Sequence, residues 1–198
     1  MMNLDEYCTF FLVATLGLSV IAVFPTLGLV MPQGGSERFS EFWLLGPNQR
    51  TGEYPFNVMT GDVYDFSIGV GNHMGRSEYY MVNVKLRNIT QSLPDVGDAI
   101  SSSLPSLFEY KFFIADAEIL DIPVNIGFKD LVVEGNVLVV GDIVIDGVNI
   151  PVDVSTSLDS ESNGFYFELF FELWRYDVMS DNFRFDDRFV GLWLNMTG

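Results

Sequence analysis

The sequence contains very little cysteine or histidine. Cys8 and His73 are the only residues of their kinds among 198. A single cysteine near the N-terminus leaves the rest of the chain without a disulfide or a thiolate metal site, and a single histidine excludes a histidine-rich zinc centre. We therefore expect no metal ion and no cofactor. Cys8 is interpreted as a passive apolar residue.

Positive charge is also scarce. The chain has 10 Lys and Arg against 27 Asp and Glu, which gives a formal net charge of −17. Nucleic acid is excluded as a partner, because binding to its phosphate backbone requires a basic surface. The acidic surface favours solubility. Adaptation to a salty exterior, weak cation binding and attraction of a basic protein partner are the alternatives.

Residues 7–31 contain no Asp, Glu, Lys or Arg. As a helix they would extend about 37 Å, which exceeds the hydrocarbon core of a bilayer at about 30 Å. A cleaved signal peptide would need a basic N-terminal region, whereas residues 1–6 contain Asp5 and Glu6 and no basic residue. We predict a short tail over residues 1–6 and an uncleaved transmembrane helix over residues 7–31, which contacts the lipid bilayer. Pro25 kinks or ends its regular part.

The orientation of this span follows from two opposing signals. Arg38 and Arg50 follow the span, which by the positive-inside rule favours a cytoplasmic domain. The triplets that begin at Asn88 and Asn195 fit the N-glycosylation pattern, which is used only outside the cytoplasm. Large domains are translocated largely regardless of charge. We expect a single-pass protein of the cell membrane with an extracellular domain over residues 32–198.

Beyond the span, apolar and polar residues alternate with the period of a β-strand. The chain is 48% hydrophobic and 15% aromatic, which is ample for a core. The glycines and Asn of residues 71–76 predict a hairpin turn between two strands, Asp146-Gly147 predicts a second hairpin, and residues 162–164 predict a turn. Residues 92–106 are predicted to form a loop. Strands are predicted over residues 39–45, 62–70, 78–88, 109–115, 136–145, 149–155, 164–176 and 189–195.

Short turns and the lack of a βαβ rhythm define the predicted fold class. It is all-β, an antiparallel immunoglobulin-like sandwich preceded by one N-terminal transmembrane helix.

A search for catalytic groups finds no convincing set. His73 lies in a predicted turn, where a solvent-exposed role is favoured over that of a catalytic base. Asp186-Asp187, or Glu168 with Glu172, could act as acid and base or hold calcium. Glu168 and Glu172 share a strand face about 13 Å apart, which is too far for a retaining glycosidase pair. We interpret the carboxylates as surface groups, assign no catalytic residue and expect a protein that is not an enzyme.

Three tryptophans, Trp43, Trp174 and Trp193, form the candidate interaction surface. They could stack on sugar rings, but all lie in predicted strands among apolar residues, which favours burial in the core or in a subunit interface.

Several strings resemble a known family. They are GSERFSEFWLLGPN, EYPFNVMTGD, GVGNHMGRSEYYMVNVKLRNIT, FYFELFFELWRYD and RFVGLWLNMTG. Together they resemble the archaeal membrane proteins grouped as domain of unknown function 1616. The resemblance extends over nearly the whole chain and implies an archaeal membrane-attached β-domain, and it supplies no catalytic residues.

The sequence thus favours a membrane-anchored, extracytoplasmic β-domain that works by binding. We expect a non-catalytic subunit of a membrane or cell-envelope assembly that recruits a protein partner or self-associates. The alternatives are a glycan-binding module and a pilin-like filament subunit.

Overall fold

The computed structural model describes residues 7–19 and 37–197, and the chain divides into two compact units, Met1–Arg38 and Phe39–Gly198. In the first unit, residues 7–19 form an α-helix whose large apolar side chains are between 50% and 70% exposed. Within the described residues, no helix combines the length and the apolar character that crossing a membrane requires. Residues 20–31 of the expected span lie outside the described residues.

The second unit consists of β-strands. One single-turn 3-10 helix, Pro47–Gln49, follows the first strand. The strands are β1 (Phe39–Leu45), β2 (Asn57–Met59), β3 (Val63–His73), β4 (Glu78–Asn88), β5 (Phe108–Ile114), β6 (Ile119–Phe128), β7 (Leu131–Glu134), β8 (Val137–Ile145), β9 (Val148–Ser157), β10 (Phe165–Asp177) and β11 (Asn182–Thr197).

The strands form two sheets. One has the order β1-β3-β6-β8-β7, with β9 paired to the other edge of β8, and the second has the order β2-β11-β10-β4-β5. All neighbours are antiparallel except β11 and β2. The predicted antiparallel β-structure is confirmed, whereas the immunoglobulin-like arrangement stays a prediction.

A single hydrophobic core joins the sheets. Alternate residues of β10 face inward, and Phe167, Leu169, Phe171 and Leu173 are at most 1% exposed. The ring of Phe171 meets that of Phe66 on β3 at 5.6 Å between centroids. The predicted apolar face of β10 is therefore the face that closes the five-stranded sheet onto the six-stranded one.

The hairpin predicted around residues 71–76 is wrong. β3 pairs with β1 and β6, and β4 pairs with β5 and β10, so the intervening residues carry the chain from one sheet to the other. Asn72, which is fully buried, shapes this crossing. Its amide nitrogen donates to the carbonyls of Arg76 at 2.8 Å and Ile114 at 2.9 Å, and its amide oxygen accepts from the Met74 N–H at 3.0 Å.

The other predicted turns are confirmed. Asp146 and Gly147 have φ of 48° and 80° and join β8 to β9, as expected for a two-residue hairpin turn in which both residues are left-handed. Asn163, with φ of 53°, lies in the turn before β10. Residues 92–106 form a loop, and its strand pairing is limited to one bridge between Asp95 and Ile100.

Candidate functional site

A cleft of about 540 Å³ lies where an edge of one sheet approaches an edge of the other. Its walls come from β1, from β11 and from the segment that leads into β2. The lining residues are Phe42, Trp43, Leu44, Tyr54, Pro55, Phe56, Val190, Gly191, Leu192 and Trp193. β1 is the edge strand of its sheet, and β11 pairs with β2 only over residues 195–197. Neither sheet therefore continues across the cleft.

Trp43 forms one wall. It lies directly opposite Gly69 on β3, and a side chain placed on Gly69 would overlap the Trp43 indole. The glycine thus permits close approach of the indole to the β3 backbone. Trp43 is therefore half-buried against the sheet, and it also contributes to the lining of the cleft.

Trp193, on β11, also lines the cleft and remains 42% exposed. The guanidinium carbon of Arg87 lies 5.0 Å from the centroid of the Trp193 ring, within the range of a cation–π contact. Arg87 is itself held by Glu168, so the indole rests on a fixed cation. Two of the three predicted tryptophans are therefore brought to one cleft.

Trp174 does not line this cleft. Its indole nitrogen donates to Glu172 at 3.1 Å, and its ring lies 6.0 Å from that of Phe185. The half-buried Trp174 has a structural role on the outer face of the five-stranded sheet.

The side chains that line the cleft are mostly apolar. Among the described residues that line it there is no carboxylate, carboxamide or basic side chain. The Tyr54 hydroxyl already donates to the Leu44 carbonyl at 2.8 Å, which leaves the tryptophan N–H groups as the main polar side-chain atoms. Sugar sites rely on several polar groups placed around an aromatic surface. The cleft therefore favours an apolar ligand.

The outer face of the five-stranded sheet carries a buried ion pair that the sequence did not reveal. Lys85 on β4 and Glu172 on β10 meet at 2.9 Å, with side chains 4% and 0% exposed. The Lys85 ammonium also donates to the Ser102 carbonyl at 2.7 Å, and the Ser102 N–H donates to Glu172 at 2.7 Å. The pair thereby fastens the loop of residues 92–106 over the sheet.

A second buried pair lies beside it. Arg87 donates to Glu168 from Nε at 2.7 Å and from a terminal nitrogen at 2.6 Å, and it reaches the Gln91 carbonyl at 2.6 Å. The interpretation of Glu168 and Glu172 as surface carboxylates is therefore wrong. Each is buried beside a basic residue of β4 on the same outer face: Arg87 lies directly opposite Glu168, and Lys85 lies diagonally across from Glu172.

Two tyrosines hydrogen-bond from the five-stranded sheet to the other. The Tyr80 hydroxyl lies 3.0 Å from the Ser40 hydroxyl and donates to Asn72 at 3.3 Å, and the Tyr110 hydroxyl donates to Asp146 at 2.6 Å. Burial raises the pKa of Tyr80 to about 12, although the bond with Ser40 acts in the opposite direction. Burial and the Asp146 carboxylate raise the pKa of Tyr110 as well.

The two candidate glycosylation residues differ in their surroundings. Asn88 ends β4 at the start of a turn, where its amide oxygen accepts from the Thr90 N–H at 2.9 Å. Asn195 lies within β11, between Tyr166 on β10 and Asn57 on β2, and its amide bonds to the Phe165 N–H and to Asn57. Both side chains are half-buried, and the Asn88 amide nitrogen donates to the Ser155 carbonyl at 2.9 Å as that of Asn195 does to Asn57, so glycosylation of either residue remains a prediction.

Polar residues considered as catalytic groups do not converge. His73 ends β3 instead of lying in a turn, stacks on Phe39 at 4.8 Å and lies 3.5 Å from Glu41. Asp186 bonds to Arg175 at 3.0 Å. Within the part of the chain that the structure describes, no three His, Cys, Asp or Glu residues form a group that could hold a metal ion.

The geometry describes a two-sheet β-domain with an aromatic cleft and two buried ion pairs. In sequence comparisons, residues 32–125 match the family described as domain of unknown function (DUF1616). The match supports that grouping and covers the chain through most of β6. The resembling strings at residues 165–177 and 188–198 lie beyond it. No curated protein matches the chain.

Among solved structures, the chain is similar to a beta-glucosidase from Listeria innocua. The complexes with glucose, gluconolactone and isofagomine are 10%, 11% and 12% identical, with TM-scores of 0.39, 0.41 and 0.37. Each alignment covers 81% of this chain and 16% of the beta-glucosidase chain. This chain therefore spans only a small part of the proteins it matches, and a likeness of this size says nothing about activity.

Proposed function

We propose that the protein is a non-catalytic binding subunit of a membrane or cell-envelope assembly, in which the aromatic cleft binds an extended apolar segment of a partner protein. The observation that carries the proposal is the cleft between Trp43 and Trp193, which has apolar walls and strand edges beside it. An added strand can gain main-chain hydrogen bonds from such an edge while its side chains enter the cleft.

Membrane attachment is part of the proposal. The uncharged run of residues 7–31 supports it, as do the exposed apolar side chains of the helix over residues 7–19. We further propose an extracellular placement for the β-domain, which the acceptor triplets at Asn88 and Asn195 support, and an archaeal origin, which the resemblance implies.

The experiment places a photo-crosslinking amino acid at Val190 in the cleft of the full chain, expressed in its native membrane. A matched variant carries the crosslinker at Phe113, which is 73% exposed and lies outside the cleft. We expect position 190 alone to yield a specific crosslink, and mass spectrometry should map it to an extended apolar segment of another protein. Equal crosslinking from both positions would contradict the proposal.

A peptide-binding assay then tests the contribution of Trp193 to the cleft. A synthetic peptide with the crosslinked sequence should bind the unaltered chain, and Trp193→Ala should weaken binding at least about tenfold, which corresponds to about 1.4 kcal/mol. Phe113→Ala should leave the affinity unchanged. A glycan that binds in an array and is lost in Trp193→Ala would favour the glycan-binding alternative. A crosslink to a second copy of this chain would favour the filament alternative.

A further inference from the structure

A second cavity, of about 260 Å³, lies where β10 turns into β11. Three arginines line it: Arg76 from the crossing between the sheets, Arg175 from β10 and Arg184 from β11. Asp177 and Asp186 complete most of its wall. At about 3.3 Å per residue, Arg184 is roughly 25 Å along β11 from the aromatic cleft, so the two cavities are separate.

The clustering of positive charge is unusual for this chain. Only 10 basic residues are present among 198, and three of them meet at this cavity. The fold thus places three arginine side chains in the wall of one cavity.

Each arginine uses its Nε for a local carboxylate. Arg76 donates to Glu78 at 2.7 Å, Arg175 to Asp186 at 3.0 Å, and Arg184 lies 2.8 Å from Asp177. The terminal nitrogens of Arg76 and Arg184 donate to no acceptor among the described residues. A guanidinium has five N–H donors in a planar fork that matches the oxygens of a carboxylate or a phosphate. Most of these donors therefore remain available.

We infer that this cavity binds an oxyanion group, a phosphate, sulfate or carboxylate, that is part of a larger ligand. The side chains of Arg76 and Arg184 are 64% and 66% exposed, which allows them to close on an anion. Arg175, at 30% exposure and held by Asp186, supplies the fixed donor. The inference concerns a site separate from the cleft and does not depend on the proposed function.

The neighbouring carboxylates set the strength of binding. Glu78, Asp177 and Asp186 balance the three cations, so attraction comes from short hydrogen bonds more than from net charge. A doubly charged anion gains more from each guanidinium than a singly charged one. We expect free phosphate to bind with a dissociation constant on the order of millimolar, about −4 kcal/mol.

The test follows the side-chain Nε–H signals of arginine by NMR, using the full-length chain in non-ionic detergent. Sodium phosphate is added in exchange for sodium chloride at constant ionic strength. Signals of Arg76, Arg175 and Arg184 should shift and saturate together, whereas those of Arg50 should not. Sulfate and acetate titrations distinguish the source of the group, because tighter acetate binding would indicate a carboxylate ligand.

Variants make the inference falsifiable. Arg184→Gln should raise the phosphate dissociation constant at least about fivefold, and Arg76→Gln serves the same purpose if the first variant misfolds. Asp177→Asn should tighten binding, because it frees Arg184 from its carboxylate. Arg50→Gln, with the same charge change on an exposed residue elsewhere, should have no effect. Shifts that never saturate, or an equal loss of affinity in Arg50→Gln, would overturn the inference.

Discussion

Replacing Glu172 with glutamine should destabilise the fold by about 3–5 kcal/mol, because it removes one partner of a fully buried ion pair. Lys85 would keep its charge at 4% side-chain exposure, with the Ser102 carbonyl as its remaining strong acceptor. Glutamine preserves the shape of the side chain. Only one of its terminal atoms can accept, so the N–H of either Ser102 or Trp174 would face an amide donor.

The two single variants and their combination separate the charge effect from the loss of packing. Lys85→Met leaves a buried carboxylate that still accepts from Ser102 and Trp174, so its cost should be smaller than that of Glu172→Gln. The combination of Lys85→Met with Glu172→Gln removes both charges. It should cost about 2 kcal/mol less than the sum of the single variants, since residues in direct contact do not contribute additively.

Equilibrium unfolding by urea of the full chain, in one fixed detergent, measures these differences. Amide hydrogen exchange at Ser102 supplies a local readout, because its N–H donates to Glu172. Exchange there should accelerate in Glu172→Gln more than at Tyr80, which lies in the core. The reasoning would be refuted if Glu172→Gln lowered the free energy of unfolding by less than about 1 kcal/mol, or if the effects in the double variant were strictly additive. Either result would mean that the ion pair does not hold the loop of residues 92–106 on the sheet.

Two further predictions use independent assays. Tyr80→Phe should narrow its stability difference from the unaltered chain as the pH rises from 10 to 12. The raised pKa of Tyr80 contributes stability that is fully present below pH 10, the pKa of an unfolded tyrosine, and is lost as the pH approaches about 12. The loss is about 1.4 kcal/mol per pH unit. A difference in the free energy of unfolding that stays constant from pH 10 to 12 would contradict this account. Protease added to intact cells should digest the β-domain if it lies outside, whereas complete protection until lysis would reverse the proposed orientation.

Strands whose two faces differ in polarity were predictable from the sequence. The predicted bounds of β1 and β4 coincide with those observed, Phe39–Leu45 and Glu78–Asn88. In β4, alternate residues enter the core, so the period of two is visible in the residue types, whereas the residue types of β1 do not alternate. The Asp146-Gly147 hairpin was equally predictable from the sequence, because few residue types adopt the left-handed backbone conformation that its turn requires.

β6 was missed although its apolar residues keep a period of two, because Pro123 lies in the middle of the strand. Proline lacks an N–H and is normally confined to strand edges. β6 pairs with β8 only over residues 126–128, so at Pro123 the strand has β3 as its single neighbour. The proline therefore occupies a local edge inside a sheet, a position that depends on where β8 ends and not on the β6 sequence.

The error at residues 71–76 has a different cause. Glycines and Asn72 correctly indicated a change of direction, but a turn within one sheet and a crossing between two sheets use the same residue types. The distinction is made by partners far along the chain. Asn72 bonds to the carbonyl of Ile114, 42 positions away, and this contact holds the crossing.

The functional surfaces were only partly predictable for the same reason. The sequence identified tryptophans as interaction candidates, but the placement of Trp43 and Trp193 in the lining of one cleft depends on β1 and β11, which belong to different sheets. The buried pairs likewise require the register that places Arg87 opposite Glu168. The alternation of residue types predicts which face of a strand a side chain occupies. Its neighbours on that face depend on the order of the strands in the sheet. Burial of the charges follows from that order, because complementary neighbours make the loop over them stable.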